Sequence, residues 1–387
     1  MSALLSTVPI WQKEVNRGNF VSVVYVDYRK AFDSISIPLL LKKMQALGIV
    51  GRLHSFLHSF LTHRTQSVIV NDAKSRPYES TSGVPQGTCL GPLMFLIYIN
   101  DLPKALPSGA FCSIYADDCK IYTINDVSTL QAALNALEQW SQYWDLSISM
   151  EKTFVMGFGK NHPQVTFTIN GAPLTKAHAI RDLGLTYTDT FDFGNYISDM
   201  VTKAKCRSNF ILKAFKTRDP LILFKLFTTY VRPLLEYCSA IWSPGKSSQV
   251  DELESVQKSF TYRCFVRRGL FKITYDSRLS RLGALSLKDR RLIADLTIMY
   301  KLTTDELHLS IWDLFQVSTL VNKTRGHPFK IHIDRSNSRT YENSFLCRNQ
   351  SLWNSLDPKL FRYRKSSTFQ LHLIKHLQSR NHIVCAS

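Results

Sequence analysis

The first half of the chain alternates between apolar runs typical of strands and apolar positions at helical spacing. Residues 20–26 are apolar and β-branched and lead directly to Asp27, which indicates a buried central strand. Helical spacing predicts an amphipathic helix over 129–145, and an almost wholly apolar segment predicts a buried helix over 92–102. Further helices are predicted at 8–15 and 38–47, and shorter strands at 67–70, 153–158, 165–169 and 182–187.

The second half of the chain has a helical pattern. Helices are predicted over 196–216, over 220–242 with a break at Pro233, and over 247–266. A strand-rich part followed by a helical part predicts an α+β fold with a second, helical domain. The predicted domains are 1–195, 196–310 and 311–387, of which the last is basic and poorly periodic.

An acidic turn lies between two short strand-like runs in residues 111–123. The runs flank Ala116, Asp117 and Asp118, which predicts a β-hairpin with a tight turn. Adjacent carboxylates repel each other and strands disfavour Asp, so a bound cation such as Mg²⁺ would explain the pair. An ordinary Asp-rich turn is the alternative. If adjacent strands bring Asp27 to this hairpin, three carboxylates would surround two metal ions, an arrangement suited to displacement at phosphorus.

Composition and charge indicate the class of binding partner and the cellular compartment. The 387 residues are 44% hydrophobic and 12% aromatic, as in a globular protein, and show neither a membrane-spanning run nor a convincing signal peptide. The eight cysteines form no C-x-x-C pair, which favours reduced thiols, an intracellular location in cytoplasm or nucleus, and no zinc module. The net charge of +18 favours nucleic acid over an anionic membrane as the partner, and residues 321–387 carry +9 of it.

Several motifs occur in an order that resembles the reverse transcriptases of non-LTR retrotransposons. Residues 26–33 (VDYRKAFD) resemble the first palm motif, 83–87 (GVPQG) with 90–93 (LGPL) the second, and 115–118 (YADD) the third. Lys152 and Thr153 resemble the fourth motif, and 183–185 (LGL) the fifth, called the primer grip. Residues 230–237 and 241–244 resemble the thumb, and 256–258 and 353–356 fit the downstream pattern.

The resemblance implies a fold and an activity. The fold is a right-hand polymerase palm, an antiparallel sheet packed on helices, followed by a helical thumb and a basic C-terminal region. The activity is RNA-directed DNA polymerisation, in which two Mg²⁺ or Mn²⁺ ions assist transfer of deoxynucleotides to a primer 3′-hydroxyl. The implied partners are an RNA template, a DNA primer and deoxynucleoside triphosphates, with no membrane and no stable protein partner.

The resemblance also assigns roles to residues. Asp27, Asp117 and Asp118 would be the catalytic, metal-binding carboxylates. The second Asp of such a pair, here Asp118, can instead have a supporting role. Phe32 would exclude a 2′-hydroxyl, Gln86 and Gly87 would line the nucleotide pocket, Lys152 would neutralise pyrophosphate, and Leu183, Gly184 and Leu185 would hold the primer end. Alternatively, Phe32 is a core aromatic, and Gln86 and Gly87 belong to a structural turn. Lys152 would then be a surface lysine, and residues 183–185 part of an edge strand. Asp33 is expected to be structural.

The chain also departs from the family pattern. About twenty-five residues precede Asp27, where the family carries a fingers segment and, earlier, an endonuclease, and Ser149 stands where the family usually has Asn. Two readings therefore stand: a polymerase domain derived from a retrotransposon, and a truncated, inactive remnant that at most binds nucleic acid.

Overall fold

The computed structural model describes residues 1–316 and 326–379. By contact, the chain divides into two compact units: Gly18–His178, and Met1–Arg17 together with Ala179–Ser387. These limits differ from the predicted domain limits at 195 and 310, which stay predictions. Among the helices that the structure describes, none is long and apolar enough to cross a membrane.

A five-stranded sheet organises the unit Gly18–His178. Its strands are β1 (Val21–Val26), β2 (Phe111–Tyr115), β3 (Asp118–Ile124), β4 (Phe154–Phe158) and β5 (Thr175–Lys176), in the spatial order β5-β4-β1-β3-β2. The central strand β1 pairs antiparallel with both β3 and β4, and β2 pairs antiparallel with β3. Only β5 pairs parallel to its neighbour within the described sheet. The sheet is therefore antiparallel in its centre.

One face of this sheet packs on three helices. The helices are α1 (Ile37–Ala46), α2 (Leu90–Ile99) and α3 (Val127–Tyr143). Alternate residues of the central strands form one apolar core with residues of these helices. The strand residues are Val24, Val26, Cys119, Ile121 and Val155, and the helix residues are Leu40, Met44, Met94, Phe95, Leu130, Leu134 and Leu137. Each fully buried large aliphatic side chain contributes about 1.5–3 kcal/mol, so this shared core fixes which strand residues face the helices.

The strands and helices predicted around the acidic turn are confirmed. The structure has a strand ending at Val26, a hairpin over Phe111–Ile124, a helix over Val127–Tyr143 and a strand over Phe154–Phe158. The predicted helices at 8–15 and 38–47 are observed at Val8–Asn16 and Ile37–Ala46. The predicted strand at 165–169 is reduced to Thr168–Ile169.

The prediction of one buried helix over 92–102 is wrong in two respects. The helix α2 ends at Ile99, and a separate short helix follows at Leu102–Ala105. Leu93 and Leu96 are 52% and 48% exposed, because they lie three residues apart on the face of α2 that points away from the core. Because the residues of α2 are apolar on all sides of the helix, the sequence pattern does not indicate which face is buried.

The single strand predicted at 67–70 is also wrong. The segment between α1 and α2 contains the helix Gly51–Leu61 and two small antiparallel pairs, Arg64–Gln66 with Tyr78–Ser80 and Ile69–Val70 with Ala73–Lys74. Asn71 and Asp72 form the inner turn, both with positive φ of 45° and 67°. Asn and Asp tolerate this left-handed conformation better than other side chains, which is why a polar segment closes a hairpin here.

The unit formed by Met1–Arg17 and Ala179–Ser387 is mainly helical. Its long helices are α4 (Gly194–Ala214), α5 (Ser247–Arg267) and α6 (Leu287–Thr303), and its other helices are Ser2–Leu5, Val8–Asn16, Pro220–Tyr230, Arg232–Glu236, Ser239–Trp242, Tyr275–Leu282, Ile311–Leu314, Arg339–Glu342, Gln350–Asn354, Pro358–Arg362 (3₁₀) and Ser366–Ser379. The predicted helices of the second half and the break before Pro233 are confirmed. With the sheet of the first half, they confirm the α+β fold class.

Two features of this unit were not predicted. Residues 182–187 are not one strand but the tip of a hairpin between Ala179–Asp182 and Leu185–Thr188. The basic region, of which 317–325 and 380–387 lie outside the described residues, is packed into the unit. It reaches the helix Val8–Asn16, because the Asn337 N–H donates to Asn16 Oδ1 at 2.8 Å and Asn16 Nδ2 donates to the Arg335 carbonyl at 3.2 Å.

A buried ion pair joins the basic region to the long helices. The Arg348 guanidinium donates to both carboxylate oxygens of Asp295, on α6, at 2.8 and 2.9 Å, and to the Ala240 carbonyl at 2.7 Å. Asn349 Nδ2 adds a further bond of 2.8 Å to Asp295. Because the Asp295 side chain is almost fully buried, each partner depends on the others for its hydrogen bonds.

Replacing Asp295 with Ala is expected to destabilise this unit by about 3–5 kcal/mol, because the Arg348 guanidinium is left buried without its counter-charge. The measurement is urea unfolding followed by circular dichroism. Asp251→Ala, which removes an exposed carboxylate from α5, is the matched control and is expected to change stability by less than about 0.5 kcal/mol. Equal unfolding midpoints for the two variants would contradict the assigned role of the pair.

Candidate active site

The strand register brings the predicted carboxylates to one edge of the sheet. Val26 on β1 is paired with Cys119 on β3, so the next residues outward, Asp27 and Asp118, lie opposite each other. Directly opposed residues of an antiparallel pair point to the same face, with their Cβ atoms about 5 Å apart. Because Val26 and Cys119 enter the helix-packed core, Asp27 and Asp118 point to the other face.

Asp117 is held in the turn of the hairpin next to them. Tyr115 pairs with Asp118, which leaves Ala116 and Asp117 as a two-residue turn. Ala116 has a φ of +54°, a left-handed conformation that costs a residue with a Cβ about 1–2 kcal/mol. Such strain at an acidic turn indicates that the position of Asp117 is determined by the surrounding sheet.

The backbone of Asp27 is held by two residues that precede β4, and its side chain lies beside a lysine. The Asp27 N–H donates to Thr153 Oγ1 at 3.3 Å, and the Asp27 carbonyl accepts from the Ser149 N–H at 2.8 Å. The Asp27 carboxylate is 32% exposed and lies 3.7 Å from the Lys152 ammonium, which is 72% exposed. The structure thus places Lys152, of the predicted fourth motif, beside the carboxylate of the first.

Thr153 is a site residue that the sequence analysis did not single out for a role. Its side chain is fully buried and supplies the hydroxyl that holds the Asp27 backbone. Its place directly after Lys152 was the available signal, because a buried polar side chain at the start of a strand requires a hydrogen-bond partner.

An open cavity of about 550 Å³ lies beside Asp27. It is lined by Asp27, Tyr28, Arg29, Lys30, Ser34, Ser147, Ser149, Glu151 and Lys152. Three cationic and two anionic side chains give this lining a small positive excess, which favours an anionic ligand. The volume lies within the range of small-molecule sites.

Phe32 lies at the edge of the core below this site. Its ring stacks on Phe95 of α2 with centroids 4.6 Å apart, and its carbonyl accepts from the Val84 N–H at 2.9 Å. The side chain remains partly exposed. The ring of Phe32 therefore packs on the core and keeps part of its surface accessible.

The glycine–proline loop is fastened to the turn that follows Asp27. Gln86 Nε2 donates to Asp33 Oδ1 at 2.7 Å, and Ser82 Oγ donates to the Asp33 carbonyl at 2.9 Å. Arg64, which the sequence analysis missed, donates to the Ser82 and Gly83 carbonyls at 3.0 and 2.6 Å. Asp33 thus orients Gln86, and the first and second motifs form one connected surface.

The two glycines of this loop differ in their surroundings. Both have positive φ, +81° at Gly83 and +75° at Gly87. A Cβ at Gly83 would lie 2.7 Å from the Asp33 carbonyl oxygen, whereas no described atom lies within 4 Å of a Cβ built at Gly87. Gly83 therefore permits close backbone packing, and Gly87 leaves open space next to Gln86.

The primer-grip residues lie in the other compact unit. Leu183 and Gly184 form the hairpin turn with φ of +46° and +86°, and Leu185 is buried. The Tyr237 hydroxyl donates to the Leu183 carbonyl at 2.9 Å. This bond connects the predicted fifth motif to the predicted thumb segment.

One buried thiol and one partly buried thiol lie next to the acidic turn. Cys112 Sγ and Cys119 Sγ are 3.8 Å apart across the hairpin, and the seven cysteines of the described residues form no disulfide. The contact with Cys112, together with burial, raises the pKa of the Cys119 thiol well above its usual value. Burial likewise raises the pKa of the neighbouring Tyr28 hydroxyl. Since the Cys119 thiol stays protonated at neutral pH, it is unsuited to act as a nucleophile or metal ligand here.

The oxygen donors at the edge of the sheet fit a hard divalent cation in their chemistry. Asp27 and Asp118 face the same side, and Mg²⁺ prefers carboxylate, water and phosphate oxygens. Across residues 1–316 and 326–379, however, no group of three or more His, Cys, Asp or Glu side chains is close enough to hold an ion unaided. Further ligands would have to come from substrate or water.

Alanine substitutions at Gly83 and Gly87 are expected to distinguish the energetic cost of a steric clash from the cost of backbone strain. Gly83→Ala adds a clash with the Asp33 backbone to the strain of positive φ, whereas Gly87→Ala adds the strain alone. Gly83→Ala should therefore lower stability by about 1–3 kcal/mol more than Gly87→Ala, measured by thermal unfolding. If Gly87→Ala proves equally destabilising, the contact of the loop with Asp33 is not the cause.

Comparison with known proteins agrees with this geometry. Residues 9–187 match the family model described as reverse transcriptase (RNA-dependent DNA polymerase). The RNA-directed DNA polymerase from mobile element jockey of Drosophila melanogaster is 25% identical over 248 residues, covering 60% of this chain and 27% of the relative. The Pol polyprotein from retrotransposable element R2 of Popillia japonica is 27% identical over 197 residues, covering 45% of this chain and 32% of the relative.

The chain spans about a quarter of the length of the jockey relative. A solved apo telomerase of Candida tropicalis is 12% identical and covers 73% of this chain and 49% of its own, with a TM-score of 0.45, an overlap too partial to bear on the fold. The family match covers the sheet, the acidic hairpin and the glycine–proline loop. Residues 9–187 therefore resemble the reverse transcriptase family, and the resemblance to retrotransposon polymerases predicted from the motifs is confirmed.

Proposed function

We propose that this chain is an RNA-directed DNA polymerase that adds deoxynucleotides to a primer 3′-hydroxyl on an RNA template. The observation that carries the proposal is the pairing of β1 with β3, which sets Asp27 opposite Asp118 and next to Asp117 in the turn. In nucleotidyl transfer the protein contributes mainly by positioning the reactants and stabilising charge. Three carboxylates at the edge of a sheet support both contributions.

Asp27, Asp117 and Asp118 would hold the divalent ions, Mg²⁺ or Mn²⁺. When bound, such ions supply charge stabilisation at the reacting phosphate and favour ionisation of the attacking hydroxyl. The work of the chain is to hold the three carboxylates in place. The Thr153 hydroxyl and the Ser149 N–H fix the backbone of Asp27, and the strained turn fixes Asp117.

Lys152 would neutralise the leaving pyrophosphate. Its ammonium lies 3.7 Å from the Asp27 carboxylate and is mostly exposed. An exposed ion pair of this kind contributes about 0–1 kcal/mol, so the ammonium exchanges to a stronger anion at little cost. Arg29 and Lys30, which line the same cavity, add positive charge for a triphosphate.

Phe32, Gln86 and Gly87 would form the nucleotide pocket. Phe32 is held by its stack on Phe95, so its ring would stand as a fixed barrier to a 2′-hydroxyl. Asp33 orients Gln86 through a 2.7 Å bond, and Gly87 leaves the space beside it open to substrate. Leu183, Gly184 and Leu185 would hold the primer end.

The proposed macromolecular partners are an RNA template and a DNA primer. The net charge of +18 supports binding of the sugar–phosphate backbone. Such binding is largely independent of sequence and weakens as salt rises, because counterions are released from the nucleic acid.

Primer extension on an RNA template with Mg²⁺ tests the activity. Asp27→Asn and Asp117→Asn are each expected to lower the rate about a hundredfold or more, because each removes one negative charge from the proposed metal site. Asp145→Asn, at an exposed position of the same unit, is the control and should extend the primer like the unchanged protein. Primer binding without carboxylate-dependent extension would favour the alternative reading, a remnant that only binds nucleic acid.

Phe32→Val is expected to reduce the preference for deoxynucleotides over ribonucleotides by about tenfold, equivalent to ~1.4 kcal/mol, because the smaller side chain admits a 2′-hydroxyl. The ratio of kcat/KM for the two nucleotide types is the measurement. Phe56→Val, an exposed aromatic in the same unit, serves as the control. If Phe32→Val lowers stability and leaves the ratio unchanged, Phe32 is a core residue only.

A further inference from the structure

The hairpin Ala179–Thr188 ends in a turn that its own sequence does not favour. Asp182 is paired with Leu185, so Leu183 and Gly184 are the two central residues of the turn. Both have positive φ, and Leu183 carries a Cβ that disfavours this left-handed conformation. Backbone held in such a conformation requires support from the surrounding structure, so a contact from outside the hairpin is expected here.

Tyr237 supplies this contact. Its hydroxyl donates to the Leu183 carbonyl at 2.9 Å, and a Cβ built at Gly184 would lie 3.5 Å from Tyr237 Cε1. The ring therefore lies beside the turn, and the hydroxyl holds the carbonyl of the first turn residue. Both the hairpin and Tyr237 belong to the mainly helical unit.

Tyr237 is itself fixed by the residues around it. Its carbonyl accepts from the indole Nε1 of Trp242 at 2.6 Å, and the Trp242 side chain is only 1% exposed. The preceding residue, Glu236, accepts from the guanidinium of Arg290, on α6, through both carboxylate oxygens. The helices of the unit thus set the position of the Tyr237 ring independently of the hairpin.

The hydroxyl of Tyr237 also fixes an N–H group on the opposite side of the turn. The carbonyl of Leu183 and the N–H of Gly184 belong to one peptide unit, and in a planar trans peptide these two groups point in opposite directions. With the carbonyl directed at Tyr237, the Gly184 N–H is directed away from it. Gly184 is exposed, and its N–H donates to no atom of the described residues. The turn therefore presents one donor in a fixed direction to an external acceptor.

The charges of the hairpin suit a phosphate as that acceptor. Arg181 is exposed, whereas Asp182, the one carboxylate in the sequence of residues 179–188, is buried and accepts from the Tyr187 hydroxyl at 2.8 Å. The Asp182 carboxylate is therefore turned into the protein and does not repel an anion at the turn. Backbone N–H groups commonly donate to the phosphates of nucleic acids and fix the register of the bound strand.

We propose that Tyr237 is a positioning residue for the primer. It holds the Leu183–Gly184 peptide so that the Gly184 N–H donates to a phosphate of the primer strand, while Tyr237 itself does not touch the primer. This inference rests on the proposed function, in which residues 183–185 hold the primer end. It adds the chemical group that is recognised, a backbone phosphate, and the residue that orients the donor.

Tyr237→Phe tests the proposal, because it removes the hydroxyl and keeps the ring. The measurement is the affinity of the full chain for a primer–template duplex, by fluorescence anisotropy with EDTA present. Losing a hydrogen bond to a charged acceptor weakens binding about tenfold, and a donor that remains but is no longer held should cost about three- to tenfold. Tyr262→Phe, on α5, is the control and should change the affinity less than about twofold, because Tyr262 is similarly exposed, at 52% against 49% for Tyr237.

Primers with a neutral backbone linkage separate positioning from a merely structural role. A single methylphosphonate, placed in turn at each linkage near the primer 3′ end, removes the charge of one phosphate. At one linkage it should weaken binding to the unchanged protein about tenfold and binding to Tyr237→Phe about twofold, because the variant has already lost most of that contact. A structural role alone would lower the affinity for all of these primers by the same factor.

Equal affinities of Tyr237→Phe and the unchanged protein, or equal losses in both proteins at every linkage, would overturn the proposal. Because EDTA prevents catalysis, the binding results are independent of polymerisation. If the coupling to one phosphate is found but extension does not depend on Asp27 and Asp117, the polymerase proposal alone fails. Carboxylate-dependent extension without the coupling overturns the role of Tyr237 alone, and absence of primer–template binding overturns both.

Discussion

The antiparallel register of β1 against β3 is the constraint on which the site depends. Val26 opposite Cys119 puts both side chains into the helix-packed core and leaves Asp27 and Asp118 facing the other side. Side chains alternate along a strand, so a shift by one residue would turn one of these carboxylates into the apolar core. The apolar residues that fix the register therefore also fix the geometry of the acidic edge.

The loops around the acidic edge are organised by local hydrogen bonds. Asp33 offers its carboxylate to Gln86 and its carbonyl to Ser82, while Arg64 holds the next carbonyls of the same loop. On the other side, Ser149 and Thr153 hold the backbone of Asp27. The rigid sheet thus provides the carboxylates, and polar contacts position the segments that would meet substrate.

Sequence patterns were informative where local chemistry decides the structure. The β-branched run before Asp27 and the paired runs around the acidic turn predicted β1, β2 and β3, because period and composition are local properties. The exposed face of α2 was missed, since its apolar residues extend all round the helix. The Asp295–Arg348 pair joins residues far apart in the chain, and no local pattern reports such a contact.

The discontinuity of the mainly helical unit has a consequence for synthesis on the ribosome. Met1–Arg17 precedes Gly18–His178 in the chain but belongs with residues after 178, whereas Gly18–His178 is continuous. The inserted unit has all its strands as soon as β5 has left the ribosome, and domains generally fold as units during synthesis. Met1–Arg17 can complete its contacts only after the basic region, which bonds to Asn16, has been made. Residues 1–17 are thus made before Gly18–His178 but reach their final contacts after it.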